Sequence, residues 1–209
     1  MSNEKLLEQL IKIKNCIEQN SIESLTVVEK LIDTITVEIG KKNAKDNGLC
    51  ETYKSAQKIL KWAKQCYPDR TILHSANVIN GIQYVCDGYN LLKLNDWLDI
   101  PSTDKGCLSL DTILNGEKAH TSIETKLPNI AELKTLITTK KAELTAEGVK
   151  KCDQIVRFTF EDVRLTVNAE YLLNMMLALP KAKCYLTQYS AYFVDDNVGE
   201  GIVMGIRNV

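Results

Sequence analysis

The stretch Thr71-Ile-Leu-His-Ser-Ala-Asn-Val-Ile-Asn-Gly-Ile-Gln-Tyr-Val-Cys-Asp-Gly-Tyr-Asn-Leu-Leu-Lys-Leu94 decides how the rest of the chain is read. Three short runs rich in strand-favouring residues, Ile72 to Ile79, Ile82 to Cys86 and Tyr89 to Leu94, are separated by Asn80-Gly81 and Asp87-Gly88. Asn-Gly and Asp-Gly are strong hairpin signals, because both central residues of a type I′ turn need positive φ and few other residues tolerate it. The stretch therefore predicts a three-stranded antiparallel meander. Just before it, Tyr53, Ala56, Ile59, Leu60, Ala63, Cys66 and Tyr67 line one side of a helix that Pro68 ends.

The same order returns at the far end of the chain. Asn168 is placed to cap a helix carrying Tyr171, Leu172, Met175, Met176 and Leu179, closed by Pro180. Cys184 to Thr187, Tyr189 to Val194 and Ile202 to Ile206 then predict strands, with turns at Asp195-Asp196-Asn197 and Gly199-Glu200-Gly201. Residues 52–94 and 168–206 are thus each a helix followed by three strands, without obvious residue identity between the copies. Between them, residues 95–127 read as a long irregular connection with short strands, and Leu127-Pro128 opens a helix through Ile130, Leu133, Leu136 and Ile137. Residues 138–153 are a polar stretch, and Ile155 to Phe160 pairs with Val163 to Val167 across Glu161-Asp162.

Toward the N-terminus the pattern is purely helical. Leu6, Leu10, Ile13 and Ile17 form an apolar stripe widened by Leu7 and Ile11, and Ser21 is placed to cap a second segment carrying Leu25, Val28, Leu31, Ile32 and Ile35. The β-branched run Thr34-Ile-Thr-Val-Glu-Ile39 leaves helix and strand both open for residues 33–39. Gly40 supplies a helix stop, and residues 41–48 a flexible linker. The fold class is α+β, with an N-terminal helical segment over residues 1–44 and a domain over residues 52–209 made of two helix-plus-antiparallel-strands halves. A short amphipathic helix pair must bury its stripe to be stable, and self-association does so most economically. Leu6, Leu10, Ile13 and Ile17 are therefore the expected oligomerisation residues.

The Thr71 to Leu94 stretch and Val167-Asn-Ala-Glu-Tyr-Leu-Leu-Asn-Met-Met-Leu-Ala-Leu-Pro180 together resemble the β sliding clamp, the processivity factor of bacterial DNA replication, and in particular the single-domain clamp-like proteins of phages. The first stretch is similar to the clamps' strand, turn and "TDG-H/Y-R-L" segment, and the second to their "N-x-x-Y-L-L-D-x-L-x-A-L" helix. The resemblance covers residues 52–209 and implies helices that face duplex DNA with basic residues. On the first helix Lys54, Lys58 and Lys61, with Gln65, fall opposite the apolar stripe, with Lys64 and Arg70 near them, as non-specific phosphate contact needs. The second helix has no basic residue before Lys181; its polar positions are Glu170 and Asn174. A bacterial clamp strings three such units along one chain, whereas 209 residues hold one, so a closed ring would need repetition of the subunit.

Composition sets the outer bounds. With 44% hydrophobic and 25% charged residues the chain is globular, and 26 basic against 27 acidic residues give a net charge of −1 and no overall field toward nucleic acid or membrane. Seven cysteines without a close pair are no disulfide framework and no zinc motif, so they read mostly as small buried hydrophobes. The N-terminus lacks the apolar core of a signal peptide, which places the protein in the cytoplasm, that of the host if it is phage-encoded.

Catalytic chemistry is thin. The histidines are His74, in an expected strand, and His120, in the irregular connection; His120-Thr121-Ser122 fits only half of a paired phosphoesterase signature. No phosphate-binding, nucleophile-elbow or zinc-protease motif occurs. Asp195, Asp196, Glu200 and Asp87 read as turn residues that bond the backbone, and Trp62 and Trp97 as packing residues unless exposed. The expectation is a non-enzymatic protein without cofactor or metal that binds DNA or replication proteins as a homo-oligomer. The alternative is a phage antagonist of a host defence nuclease (anti-CRISPR-like) or of a replication protein.

Overall fold

The computed structural model describes residues 3–18, 23–103, 109–119 and 123–206. The chain is α+β and divides into two compact units, Met1–Cys50 with Leu98–Pro101, and Glu51–Trp97 with Ser102–Val209. Among the described residues no helix is long and apolar enough to cross a membrane.

The first unit is a pair of helices that pack on each other, α1 (Asn3–Glu18) and α2 (Glu23–Asp46). Residues 33–39 are helical, and the Thr34 hydroxyl is satisfied within the helix by donating to the Lys30 carbonyl at 2.7 Å. The expected stop at Gly40 and the linker after it do not occur: Gly40 is buried and helical, and α2 runs on to Asp46. The helix ends instead at Gly48, whose φ of +72° lets its N–H reach the Lys45 carbonyl and the Leu49 N–H reach the Ala44 carbonyl. That is a Schellman cap, which only a residue at ease with positive φ completes. The Asn43 amide donates to Asp99 at 2.6 Å, and Ala44, Leu98 and Ile100 are buried. Ser21 lies outside the described residues.

The second unit contains α3 (Cys50–Cys66), β1 (Ala76–Ile79), β2 (Ile82–Cys86), β3 (Asn90–Leu94), β4 (Ser102–Thr103), α4 (Leu110–Ala119), β5 (Ile123–Thr125), α5 (Ile130–Ala146), β6 (Arg157–Phe160), β7 (Leu165–Asn168), α6 (Ala169–Ala178), β8 (Lys183–Leu186), β9 (Ser190–Asp195) and β10 (Gly199–Met204). Eight strands form one sheet in the order β4-β1-β2-β3-β10-β9-β8-β5, and β6 and β7 pair separately. Each half is a helix followed by an antiparallel meander, and the halves join where β3 and β10 pair, with Leu92 opposite Gly201. The short strands β4 and β5 then cover the outer edges of β1 and β8.

Several local expectations differ from the structure. Thr71–Leu73 is a 3₁₀ turn, so the first strand starts only at Ala76. Asn80 and Gly81 both have positive φ, as a type I′ hairpin requires, but at the next turn only Gly88 does. There Asp87 accepts from the Tyr89 and Asn90 N–H groups at 2.9 and 2.7 Å, an Asx-type turn. The irregular connection contains α4 as well as its short strands, and the polar stretch from Thr138 is, as far as Ala146, the solvated continuation of α5, capped by Asn129 accepting from the Ala131 N–H. A turn at Gly148 and a 3₁₀ turn at Lys151–Asp153 follow. Arg164, at φ +54°, prolongs the turn so that the second strand of that hairpin begins at Leu165. Cys66 is exposed instead of lining the core side of α3.

Gly199 and Gly201 lie inside β10, not in a turn, and each is there because something approaches closely. A Cβ on Gly199 would stand 2.0 Å from the Lys93 carbonyl oxygen, and one on Gly201 2.3 Å from the Met175 sulfur. Gly201 thus lets Met175 of α6 and Leu179 at its C-terminal cap settle directly on the sheet. The two helices are tied together on that face: Thr52 donates to the Ala178 carbonyl at 2.8 Å, and the buried Asn174 amide to the Ser55 carbonyl at 3.1 Å. On the opposite face Leu110 and Leu114 of α4 pack with Tyr84, Cys86, Leu91, Tyr192 and Ile202.

Candidate nucleic-acid interface

Helix α3 has a clean division. Thr52, Tyr53, Ser55, Ala56, Ile59, Leu60 and Ala63 are buried, so the intervening positions point outward. Lys54, Lys58, Lys61 and Lys64 are all exposed, as is Arg70 in the turn beyond the helix. Lys54, Lys58 and Lys61 recur at helical spacing and so share the exposed face of α3, with Lys64 at its border. Lys54 is ion-paired with Glu51 at 2.5 Å, an exposed pair of small energetic weight. Lys58 lies over the Trp62 ring, 4.7 Å from its centroid. Partial desolvation pulls the Lys58 pKa down, Glu170 opposes that shift, and Lys141 adds to it. Arg70 lies over Tyr67 at 5.2 Å.

These two cation–π contacts are the ends of one aromatic strip. Trp62 touches Tyr171 at 4.7 Å between centroids, and Tyr171 stacks with Tyr89 at 6.1 Å and 28°. The Tyr89 side chain is the neighbour that does most to push the Tyr67 pKa up, to about 12. The order along the surface is Lys58, Trp62, Tyr171, Tyr89, Tyr67, Arg70. Sequence reasoning found both cations and Trp62 but not the strip, because its four rings come from α3, the turn after it, the β2–β3 turn and α6. Trp97, read as a packing residue, is 56% exposed.

Backbone chemistry fixes the strip from below. Asp87 is buried, and besides the two N–H groups it accepts from the Asn90 side-chain amide at 2.8 Å, which holds Tyr89 at the turn. Burial raises the Asp87 pKa, and these hydrogen bonds work against the rise. Gly88 has a φ of +90°, and a Cβ there would press on the Tyr67 ring at 3.3 Å, so the ring packs closely against the turn.

The second helix offers no matching surface. Every residue of α6 is at least half-buried, and α5 packs alongside it with Lys141 paired to Glu170 at 2.8 Å. The other candidates are structural. His74 Nε2 is 2.9 Å from the Tyr67 carbonyl, and Asp195 accepts from the Asn197, Val198 and Lys181 N–H groups. Glu200 accepts from the Tyr192 hydroxyl and pairs with Lys93 at 2.8 Å, while Glu117 accepts from Ser190 and Thr187. No group of three His, Cys, Asp or Glu side chains among the described residues is arranged to hold a metal ion. Burial lifts the thiol pKa of Cys86 to about 11 and of Cys184 to about 12, which suits small core residues. His120 lies outside the described residues.

Of the expected oligomerisation residues, Ile13 is half-buried and Ile17 is 61% exposed; the side chains of Leu6 and Leu10 lie outside the described residues. On α2 the exposed Ile32, Ile35 and Ile39 follow one another at helical spacing. Comparison of the chain with protein-family models, with curated proteins and with solved structures finds no match in any of the three.

Proposed function

We propose that this is a non-enzymatic, clamp-like nucleic-acid-binding protein of phage type that works in the host cytoplasm and engages DNA from one side of its sheet domain. The observation that carries the reading is the co-location of Lys54, Lys58 and Lys61 on one exposed helix face, with Lys64 and Arg70 also exposed, in a chain whose net charge is −1. In such a chain a cluster of cations is a local device. The covered α6 and the capped sheet edges favour one-sided contact over encirclement, because a ring built by continuing the sheet would need β1 and β8 open.

The test is a DNA titration at several salt concentrations. Replacing Lys54, Lys58 and Lys61 together by Glu is expected to lower affinity sharply and to flatten the log–log salt slope by about 3, one phosphate contact per lysine. Unchanged binding and slope in a folded triple variant would overturn the proposal.

A second reading, an antagonist that binds a host nuclease or replication protein, is favoured by the exposed row Ile32, Ile35 and Ile39, which suits a protein surface better than a phosphate backbone. The same row serves self-association. Light scattering separates these outcomes: a homo-oligomer loses mass on Ile35→Glu with Ile39→Glu, whereas a monomer indifferent to DNA favours the antagonist.

A further inference from the structure

We infer that the strip formed by Trp62, Tyr171, Tyr89 and Tyr67, flanked by Lys58 and Arg70, is a stacking platform for unpaired bases, so that the nucleic acid taken by this surface is single-stranded. The inference rests on the nucleic-acid reading above and names its substrate class. Phosphate contact alone explains lysines on a helix, but it does not explain why two of the cations flank a run of four rings that remain partly open to solvent. Tyr89 is 47% exposed at the centre of the strip, and Trp62, Tyr171 and Tyr67 are each half-buried. A duplex hides the faces of its bases in its own stack and would meet such rings only at their edges. A single strand presents the faces, and base–aromatic stacking is sequence-tolerant because every base has a π-face.

The cations are placed for the same substrate. Lys58 and Arg70 lie over the terminal rings of the strip, at Trp62 and Tyr67. Lys58 projects from the same side of α3 as Trp62, and Lys141 stands near Lys58. A backbone running past the rings would meet positive charge at both ends. Two of the acids beside the strip are already engaged: Glu170 with Lys141, and the buried Asp87 with the backbone and Asn90. The rings are also held in place before any ligand arrives, Tyr67 by its packing on Gly88, and Tyr89 by the Asp87 turn and its stacking on Tyr171. A platform whose rings are already ordered loses little freedom when bases settle on it.

Labelled oligothymidylate and a blunt duplex of equal length, titrated into the full chain and followed by anisotropy, test the proposal. The single strand is expected to bind more tightly. Tyr89→Ala, at the exposed centre of the strip, is expected to weaken it by about tenfold, the lower end for loss of one stacked base, while Tyr89→Phe retains binding. In a Trp97→Phe background the fluorescence of Trp62 is expected to be quenched on adding the oligonucleotide. Tighter binding of the duplex, or Tyr89→Ala binding the single strand as well as the parent does, overturns the platform while leaving the nucleic-acid reading intact. Failure of both oligonucleotides to bind overturns the two together.

Discussion

The two halves of the sheet domain share an architecture and almost nothing at their surfaces. In the first half α3 keeps its outward side open and fills it with Lys54, Lys58, Lys61 and Lys64. In the second, α6 occupies the corresponding place in chain order but is covered, with α5 alongside it and Lys141 neutralising Glu170. Even their contacts with the sheet differ. Leu92 and Gly201 face each other across the central β3–β10 pair, yet Leu92 is a fully buried side chain and Gly201 is the absence of one, which brings Met175 down onto the strand. The lesson is that helix, turn and strand signals specify the repeat, while the two copies differ in what each does with the side of its helix turned away from the sheet.

The join between the halves is the most sensitive place to break that comparison. Gly199→Ala would set a Cβ 2.0 Å from the Lys93 carbonyl at a φ of +154°, and neither backbone can retreat without opening the central strand pair. Overpacking and backbone strain together are expected to cost about 4 kcal/mol, read as a loss of midpoint in urea unfolding. A loss below about 1 kcal/mol would mean that the strands yield and the halves are less rigidly joined than their register implies.

The helix alongside α6 gives the next effect. Leu133 is the most buried residue of α5, at 1% exposure, and Leu133→Ala is expected to cost about 3 kcal/mol of stability. The measurement that sharpens the comparison is hydrogen exchange. If α5 is what closes the second half, amides of α6 lose protection in this variant while those of α3 keep theirs. Equal loss in both helices would show that the halves respond as one body.

Much of this architecture is legible in the sequence, for identifiable reasons. Asn80-Gly81, the Asn168 cap and the apolar spacing of α3 each express a local requirement of the backbone, and each appears where that requirement is met. Misreadings occur where a long-range contact overrides local chemistry. Gly40 signals a stop in isolation but is buried within α2, and Gly199 and Gly201 signal a turn but exist to admit Lys93 and Met175. The basic surface was legible because α3 alone supplies most of it. The aromatic strip was not, since Trp62, Tyr67, Tyr89 and Tyr171 meet only after both halves have folded and α3 lies beside α6.

The smallest expected effect concerns the two aspartates that open the last turn of each half. Asp87 and Asp195 both accept from the N–H groups two and three residues on, but Asp87 adds the Asn90 amide and lies under the aromatic strip, whereas Asp195 adds the Lys181 N–H. Desolvation raises the Asp87 pKa above its ordinary value. As pH falls from neutral, the folded chain therefore takes up this proton before the unfolded chain does, so the folded state gains stability through that window. Asp87→Asn keeps an oxygen to accept from the Tyr89 and Asn90 N–H groups and removes the titration. Urea unfolding of both proteins at about pH 7 and about pH 5 should show the difference moving in favour of the parent chain at the lower pH. A difference that stays constant, or moves the other way, would mean that the hydrogen bonds to Asp87 outweigh its burial and that the turn holds Tyr89 through charge.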